Sequence, residues 1–430
     1  MAIINVIDFD AVPDATSLST QAIQRAIDSA SAGDTLLLPA GRFLTGSLFL
    51  KSHLTLELAE NAVLLGSPHL EDYPFIETRV AGIDMRWPAA ILNVNHCHNV
   101  TITGSGTIDG QGAIWWRKFW GDDENGGMLA DYSQRGLRWV VDYDCERPRN
   151  LVVYQSESVM LDGFQSRESG FWNIHICYSK QVSLQGLNVQ NSAGPSTDGI
   201  DIDSSQQVRV ENCTVSCNDD NICVKAGRGA EAQQLARTAR EITIRRCTLL
   251  KGSGITLGSE TSGGIEEVII EHNHFSGTGV GFRIKSARNR GGWIKNIIVR
   301  HMTLEDVCYP FMLQLNWFPQ YSYSEQSGET AQPPHWQKLA AGVEGEAGLT
   351  RVENITISHI SSQLTQPTVF SRAFFIEGAA ERPIEGLCFS DVALQAQEFG
   401  KIAGVNKLVF ERVTVDAPAV TQLENDAYHR

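Results

Sequence analysis

A short run of alternating apolar residues recurs along most of this chain, and its spacing constrains the fold more than any other feature. The runs begin at Val100, Val159, Val182, Val208, Ile242, Val268, Ile297, Ile355, Leu387 and Leu408. Subtracting successive starting positions gives intervals of 59, 23, 26, 34, 26, 29, 58, 32 and 21 residues. Short strands that repeat roughly every 20 to 30 residues are typical of a solenoid. The two longest intervals are about twice the others, so each predicts an extra coil or a long loop.

The pattern within each run favours strands over the other repeat classes. A leucine-rich repeat would need its L-x-x-L-x-L-x-x-N frame and helical backs, and a β-sandwich would show turn signals about every 8 to 12 residues. We therefore predict an all-β fold, a right-handed parallel β-helix. Apolar residues at Ala22, Ile23, Ala26 and Ile27 form a helical stripe within residues 16–32, which predicts a short N-terminal capping α-helix over an otherwise unpaired edge.

The chain shows no composition that marks a linker between domains. No Pro/Ser/Gly-rich tract, charge block or low-complexity run interrupts its 430 residues. We expect a single β-helix domain over residues 1–430, in which 1–66 form the N-terminal cap and first strands and 100–417 form the coils. Residues 309–350 are predicted to form a long loop insertion over the coils.

Charge and cysteine content exclude several kinds of partner and site. The formal net charge of −15 at pH 7 argues against nucleic acid or an anionic membrane surface as a partner, since both need a basic face. The nine cysteines are odd in number and form no C-x-x-C pair, so we expect neither a zinc site nor a disulfide framework. No secretory signal pattern is visible at the N-terminus, which predicts a cytoplasmic protein unless a signal was trimmed from a secreted or periplasmic one.

The densest group of chemically active side chains lies within residues 196–225. Its two acidic clusters are Asp198/Asp201/Asp203 and Asp219/Asp220. Carboxylates gathered this closely repel one another and raise at least one pKa, which is useful in an acid/base pair or at a metal site. Asp is also an ordinary turn residue, so turns between strands are the alternative.

The repeat predicts which of the polar residues lie together. In a parallel β-helix, equivalent positions on successive coils stack about 4.8 Å apart. Asp198 follows the start of its run by 16 residues, Asp219 and Asp220 by 11 and 12, Ser253 by 11, and Arg283 and Lys285 by 15 and 17. These similar phases predict one shallow groove along the coils, which suits an extended polymer or oligomer.

These motifs resemble those of the polygalacturonase and rhamnogalacturonase group, family 28 of the glycoside hydrolases, in the pectin-lyase-like superfamily. The family's successive motifs are N-T-D, D-D, G-H-G and R-I-K. The corresponding stretches here are Ser196-Thr197-Asp198, Asp219-Asp220, Gly252-Ser253-Gly254 and Arg283-Ile284-Lys285, in the same order on consecutive coils. The likeness extends to the N-terminal stretch from Ala22 to Gly66 and so covers most of the chain.

The resemblance implies a role for each carboxylate. Asp219 would be the general acid that protonates the glycosidic oxygen, and Asp198 and Asp220 would together hold and activate the attacking water. An inverting glycosidase separates its acid and base carboxyls by about 6.5 to 9.5 Å to admit that water, so we expect inversion.

The resemblance also implies a substrate-binding set. Arg283 and Lys285 would bind a galacturonate carboxylate, since a guanidinium fork matches a carboxylate and the ammonium adds a point charge. Exposed basic residues on a strand are the alternative. Lys225 is a further candidate for binding substrate or tuning the acid. No cofactor and no metal are expected.

Two positions depart from the family's motifs. Ser196 replaces the usual Asn, a mild change in a turn, whereas Ser253 stands where polygalacturonases have the histidine of G-H-G. A serine hydroxyl cannot become positively charged by taking up a proton, as an imidazole can. This departure therefore weakens the case for homogalacturonan as the substrate more than the case for a hydrolase. Rhamnogalacturonan-directed members lack this histidine too, and Glu260 within Ser259–Gly264 would then be a substrate-binding or supporting carboxylate. A turn-capping role is the alternative for Glu260.

Aromatic residues offer candidate sugar platforms. Trp317 beyond the R-I-K motif is a substrate-binding candidate, and Trp172 is another, although core packing is the commoner fate of a Trp. His175 is expected to be a satisfied groove or core histidine rather than a catalyst. The WWRKFW stretch from Trp115 is interpreted as a rim element that would favour cleavage from a chain end.

The sequence therefore predicts an inverting glycoside hydrolase of galacturonate-containing pectic chains or oligosaccharides, with exo action favoured. An acidic oligo- or polysaccharide is its expected partner. One alternative is a pectic polysaccharide lyase that uses calcium held by the aspartates. Another is a non-catalytic carbohydrate-binding β-helix.

Overall fold

The predicted repeat is the framework of the structure. A computed structural model of the chain describes residues 2–324, 332–366 and 368–418, which divide into two compact units. The N-terminal unit comprises Met1–Val80, Asp84–Arg135 and Val141–Ile222. The C-terminal unit comprises Ala81–Ile83, Gly136–Val140 and Cys223–Arg430. That residues 1–430 form a single domain stays a prediction.

Short strands build the N-terminal unit. They are β1 (Ile3–Asn5), β2 (Asp14–Leu18), β3 (Thr35–Leu38), β4 (Gly41–Thr45), β5 (Leu48–Phe49), β6 (Thr55–Leu58), β7 (Ala62–Gly66), β8 (Phe75–Val80), β9 (Ile83–Pro88), β10 (Leu92–Asn95), β11 (His98–Gly104), β12 (Thr107–Asp109), β13 (Leu151–Tyr154), β14 (Glu157–Asp162), β15 (Gln165–Arg167), β16 (Ile174–Cys177), β17 (Lys180–Gln185), β18 (Asn188–Gln190), β19 (Ile200–Asp203), β20 (Gln206–Glu211) and β21 (Thr214–Ser216).

The C-terminal unit continues with strands of the same kind. They are β22 (Ile222–Lys225), β23 (Ala239–Arg245), β24 (Thr248–Leu249), β25 (Ile255–Leu257), β26 (Ile265–Glu271), β27 (His274–Ser276), β28 (Val280–Lys285), β29 (Trp293–Glu305), β30 (Tyr309–Gln314), β31 (Arg351–Gln363), β32 (Arg372–Glu377), β33 (Ile384–Gln395), β34 (Glu398–Ala403) and β35 (Val405–Asp416).

Helices occupy only short stretches. They are α1 (Thr20–Ser29), α2 (Ala113–Trp120), α3 (Gly127–Gln134), α4 (Val141–Asp144), α5 (Gly229–Leu235), α6 (Pro319–Ser322) and α7 (Pro334–Ala340), with 3-10 turns at Val6–Phe9, Leu70–Asp72 and Gly345–Gly348. Among these described helices, none has the length and apolar character that crossing a membrane requires.

The starting residues of the repeat are paired in the structure. In the N-terminal unit, Val100 pairs with Val159, Val159 with Val182, and Val182 with Val208, all in parallel register. In the C-terminal unit the paired column is Ile242, Val268, Ile297, Ile355, Leu387 and Leu408. All but the terminal Leu408 are almost completely buried. Each buried aliphatic side chain contributes about 1.5 to 3 kcal/mol, so this alternation holds the coils in register.

The two long intervals are loops rather than extra coils. Val100 pairs directly with Val159, and Ile297 pairs directly with Ile355, so no further strand of this column lies between the partners. Helices α2, α3 and α4 follow β12 within the first interval, and α6 and α7 lie within the second. The loop predicted over 309–350 begins later, because its first residues form β30 between β28 and β32.

The N-terminal helix is present but shorter than residues 16–32. Helix α1 buries Ala22, Ile23, Ala26 and Ile27, which is the stripe that predicted it. The residues before it form β2, which pairs with β4. Residues 16–18, which were expected to belong to the helix, are therefore part of strand β2.

A second column of strands positions the candidate site. In the N-terminal unit its order is β5, β10, β13, β16 and β19, and in the C-terminal unit β25, β28, β30, β32 and β34. The predicted site residues lie on these strands or in the turns that lead into and out of them.

Candidate active site

The N-terminal unit holds the three predicted catalytic carboxylates. Asp198 lies in the turn before β19, and Asp219 and Asp220 lie in the turn before β22. Asp198 is 3% exposed and Asp220 is fully buried, and each offers a carboxylate oxygen within 4.8 Å of the other. Asp219 is half-buried, and its Oδ1 accepts a hydrogen bond from the Asp220 amide at 2.9 Å. The arrangement can hold one small polar molecule between a buried pair and keep a third carboxyl accessible.

A buried ion pair fixes the turn that carries Asp198. The Ser196 hydroxyl donates to Asp142 Oδ1 at 2.7 Å, and Arg147 Nη1 donates to the Pro195 carbonyl at 2.7 Å. Arg147 also lies 3.4 Å from Asp142. Ser196 has a φ of 50°, a conformation that Asn adopts more readily, so these contacts offset the change from the family's Asn.

Sequence reasoning missed both members of that ion pair. Asp142 lies in α4 and Arg147 lies between α4 and β13, in an interval where the repeat assigns no phase to a residue. The surrounding stretch contains several other charged residues, so the sequence does not single out this pair.

Asp201 and Asp203 belong to a different buried group. Asp203 lies 3.5 Å from Arg79 Nη1 and 3.6 Å from His175 Nε2, and Asp201 pairs in register with His175. Arg149 Nη1 lies 2.7 Å from His175 Nδ1. A guanidinium only donates, so Nδ1 accepts and Nε2 carries the ring proton towards Asp203.

This group does not fit a metal site. Burial lowers the pKa of His175 to about 4, so the ring is neutral, and its protonated Nε2 cannot ligate a metal beside Cys177 and Asp203. Arg79 already supplies a positive charge to Asp203. Five aspartates sharing a calcium ion, as the lyase alternative needs, do not fit these contacts.

The C-terminal unit holds the predicted cations in a buried environment. Arg283 and Lys285 lie two residues apart on β28, so they face the same side, and each is 4% exposed. Arg283 Nε donates to Thr256 Oγ1 at 3.2 Å. Lys285 Nζ lies 4.4 Å from the centroid of the half-buried Trp317 ring. The alternative interpretation, that Arg283 and Lys285 are exposed basic residues on a strand, is therefore wrong.

Lys225 and Glu260 form an ion pair in the same unit. Lys225 Nζ lies 3.1 Å from Glu260 Oε2, and both side chains are less than a twentieth exposed. Burial alone would raise the pKa of Glu260, but Lys225, Arg290 and Lys285 outweigh it and hold the pKa below its ordinary value. The carboxylate of Glu260 is thus engaged by protein cations, which favours the supporting role over direct substrate binding.

A glycine from a distant part of the chain closes over this pair. Gly82 has a φ of 85°, and a Cβ there would lie 2.7 Å from Glu260 Cγ and 2.8 Å from the Arg228 nitrogen. The Arg228 amide donates to the Gly82 carbonyl at 3.0 Å. Only glycine fits both the conformation and the space, and the repeat gave no reason to place Gly82 here.

Ser253 occupies the position of the missing histidine within an intact backbone motif. Gly252 and Gly254 have φ values of 139° and 66°, and a Cβ on Gly254 would lie 2.1 Å from the Val280 carbonyl. The strand of β28 packs too closely for any other residue at that position. The half-buried Ser253 hydroxyl is what this turn presents in place of an imidazole.

The two candidate tryptophans differ in environment. Trp317 is half-buried, with Tyr321 at 5.6 Å between ring centroids and Lys285 over its face. Trp172 is 3% exposed and stacks on Phe171 at 5.6 Å. Trp317 can therefore offer part of a ring to a sugar, whereas Trp172 is a packing residue. The WWRKFW stretch lies in α2, which buries Trp115, Trp116 and Phe119.

The structure thus groups the predicted site residues in two sets. The carboxylates Asp198, Asp219 and Asp220 lie in the N-terminal unit. The C-terminal unit carries the predicted substrate-binding residues Lys225, Ser253, Glu260, Arg283, Lys285 and Trp317.

The sequence profile of the glycosyl hydrolases family 28 matches residues 76–414, which include both sets. This chain is a family 28 glycosyl hydrolase. The resemblance drawn from the four motifs is confirmed, even though one of them lacks its histidine.

Two relatives are similar to this family 28 member over most of its length. It is 31% identical over 407 residues to a probable polygalacturonase of Vitis vinifera, covering 91% of this chain and 74% of the relative. It is 29% identical over 335 residues to an exo-poly-α-D-galacturonosidase of Dickeya chrysanthemi, covering 71% of this chain and 55% of the relative.

Solved structures confirm the fold of the family 28 chain. A hyperthermoactive exopolygalacturonase from Thermotoga maritima superposes with a TM-score of 0.76 at 24% identity, covering 95% of this chain and 91% of that one. The all-β, right-handed parallel β-helix predicted from the repeat is therefore the fold of this protein.

Family membership also decides between the classes of function. The protein is a glycoside hydrolase, as predicted, and the lyase and the non-catalytic binding protein are not supported.

Proposed function

We propose that this hydrolase cleaves galacturonate-containing pectic chains or oligosaccharides with inversion, acting from a chain end. The observation that carries the substrate class is the buried cationic face of β28. Arg283 and Lys285 are held there at 4% exposure in a protein whose net charge is −15. A guanidinium fork and an ammonium on one face can both donate hydrogen bonds to a carboxylate, the group that distinguishes a uronate from a neutral sugar.

The accessibility of the carboxylates supports the roles that the family resemblance implies. Asp219 is the half-buried member and is assigned as the general acid that protonates the leaving glycosidic oxygen. Asp198 and Asp220, with oxygens within 4.8 Å, are assigned to hold the attacking water and take its proton. A water activated on the face opposite the protonated oxygen gives inversion of configuration.

The residues around the cations are assigned to substrate positioning. Lys225 is held by Glu260 and adds positive charge, and Trp317 offers a ring next to Lys285 for one face of a sugar. Ser253 can donate or accept a single hydrogen bond where an imidazole would titrate. We assign it to contact with the sugar rather than to proton transfer.

Action from a chain end is supported by the Dickeya chrysanthemi relative, which is an exo-poly-α-D-galacturonosidase. The test is a time course on two substrates of defined length, an oligogalacturonate and a rhamnogalacturonan oligomer. We expect one short product to accumulate from the first time point while the remaining chain shortens by the same unit. Products of many intermediate lengths at early times would show endo action, and cleavage of the rhamnogalacturonan oligomer alone would assign the enzyme to that branch.

A further inference from the structure

Three exposed histidines form a stacked ladder on the C-terminal unit. His272, His301 and His359 occupy the same bend of three successive coils, with φ values of 56°, 53° and 55°. The ring centroids of His272 and His301 lie 4.6 Å apart and those of His301 and His359 lie 4.7 Å apart. The residues that precede the histidines, Glu271, Arg300 and Ser358, pair in register, so strand pairing imposes the ladder.

This ladder is separate from the catalytic machinery. It lies on β26, β29 and β31, whose sheet is not the one that contains β28. Nothing in the proposed hydrolysis uses an imidazole at these bends. A coil repeat does not require histidine there either, because the adjacent bend positions hold Arg246 and Asp391 at the same conformation.

The surroundings of the central ring disfavour its protonated form. Partial burial, and then the neighbouring His272 and His359, hold the pKa of His301 below its usual value. Arg300 acts in the same direction and Glu271 opposes it.

A carboxylate continues the ladder at the next bend. Asp391 Oδ2 lies 3.8 Å from His359 Nε2. Asp391 is also bound by Arg412, whose Nη2 lies 2.9 Å from it, so Arg412 competes for this oxygen. The bends thus present imidazole nitrogens in a row with an oxygen at one end.

We propose that the His272–His301–His359 ladder binds a divalent transition-metal ion such as Zn²⁺, with His301 and one neighbouring histidine as the ligands. Such ions prefer imidazole nitrogen at about 2.0 to 2.1 Å. Rings stacked at 4.6 to 4.7 Å place two nitrogens within reach of one ion after a small rotation of exposed side chains. Hard ions that prefer oxygen ligands, such as Mg²⁺, do not suit the site.

The test is calorimetric titration of untagged protein with ZnCl₂ near neutral pH. The wild-type protein is expected to bind with a Kd in the micromolar range, reversibly with EDTA, and not to bind MgCl₂. His301→Asn is expected to weaken Zn²⁺ binding by roughly tenfold or more, because it removes the ligand common to both histidine pairs. Asparagine tolerates the left-handed conformation, as Asn212, Asn296 and Asn354 show, so the bend is preserved.

The matched control is His274→Asn. His274 is exposed and lies outside the ladder, where its Nδ1 contacts Thr303 Oγ1 at 2.8 Å, and its replacement is expected to leave Zn²⁺ affinity unchanged. Equal affinity in wild type and His301→Asn, or the absence of saturable binding to the wild type, would overturn the proposal. The measurement needs no turnover, so its outcome is independent of the hydrolase reaction.

Discussion

Replacing Asp219 with asparagine is expected to lower kcat on an oligogalacturonate by about 10²- to 10⁴-fold, with little change in KM. The amide has nearly the same shape but cannot protonate the leaving oxygen, so the loss falls on the chemical step. The side-chain oxygen can still accept the hydrogen bond of the Asp220 amide, and the position is only half-buried, so the fold is retained. Steady-state kinetics on the purified variant, with circular dichroism to check folding, make the measurement.

The matched control for this variant is Asp8→Asn. Asp8 is exposed in the Val6–Phe9 turn near the N-terminus, and its replacement is expected to leave kcat and KM unchanged. If Asp219→Asn kept more than about a tenth of the wild-type kcat, a general acid at this position would be ruled out.

Replacing Glu260 with glutamine is expected to give the largest loss of stability among the site variants. It removes the partner of Lys225 at 3.1 Å and leaves a buried cation beside Arg290 and Lys285. Breaking a buried ion pair in this way costs about 3 to 5 kcal/mol in the free energy of unfolding. Urea unfolding followed by tryptophan fluorescence measures this loss, because Trp317 lies against Lys285 in the same unit.

Glu381→Gln provides the comparison for that experiment. It breaks the ion pair of Glu381 and Arg288 at 2.6 Å, which lies on the surface, so no measurable loss is expected. Equal unfolding curves for the two variants would show that the Lys225–Glu260 pair does not stabilise the unit.

The pH dependence of that pair has a definite sign. The pKa of Glu260 in the folded chain lies below its ordinary value. The stabilising contribution is therefore complete above that ordinary value and is lost only as the pH falls through the lowered pKa.

The coils could be predicted because their information is local and periodic. Alternation within each run, at a nearly constant spacing, placed Val182 opposite Val208 and Val268 opposite Ile297, and the structure pairs both. The motif residues were placed near strands of one column by the same phase argument. The family followed from the order of those motifs, and the profile match confirms it.

The support around the site could not be predicted because it comes from segments outside the repeat. Arg147 and Asp142 hold the turn of Asp198 from the helical interval, and Gly82 covers Glu260 from a hairpin far away in sequence. The spacing of the repeat does not predict where residues outside the coils lie. The burial of individual side chains could not be predicted either. The sequence does not show that Trp172 is buried whereas Trp317 is only half-buried.

The most direct test of the account is the configuration of the first product released from an oligogalacturonate, followed by NMR in the presence of EDTA. We predict a saturated product whose new reducing end has the anomeric configuration opposite to that of the cleaved linkage, because the proposed mechanism has Asp198 and Asp220 deliver water from the face opposite Asp219. A first product with retained configuration would contradict the assignment of Asp198 and Asp220 to the water. An unsaturated product, or activity that EDTA abolishes, would contradict metal-independent hydrolysis itself.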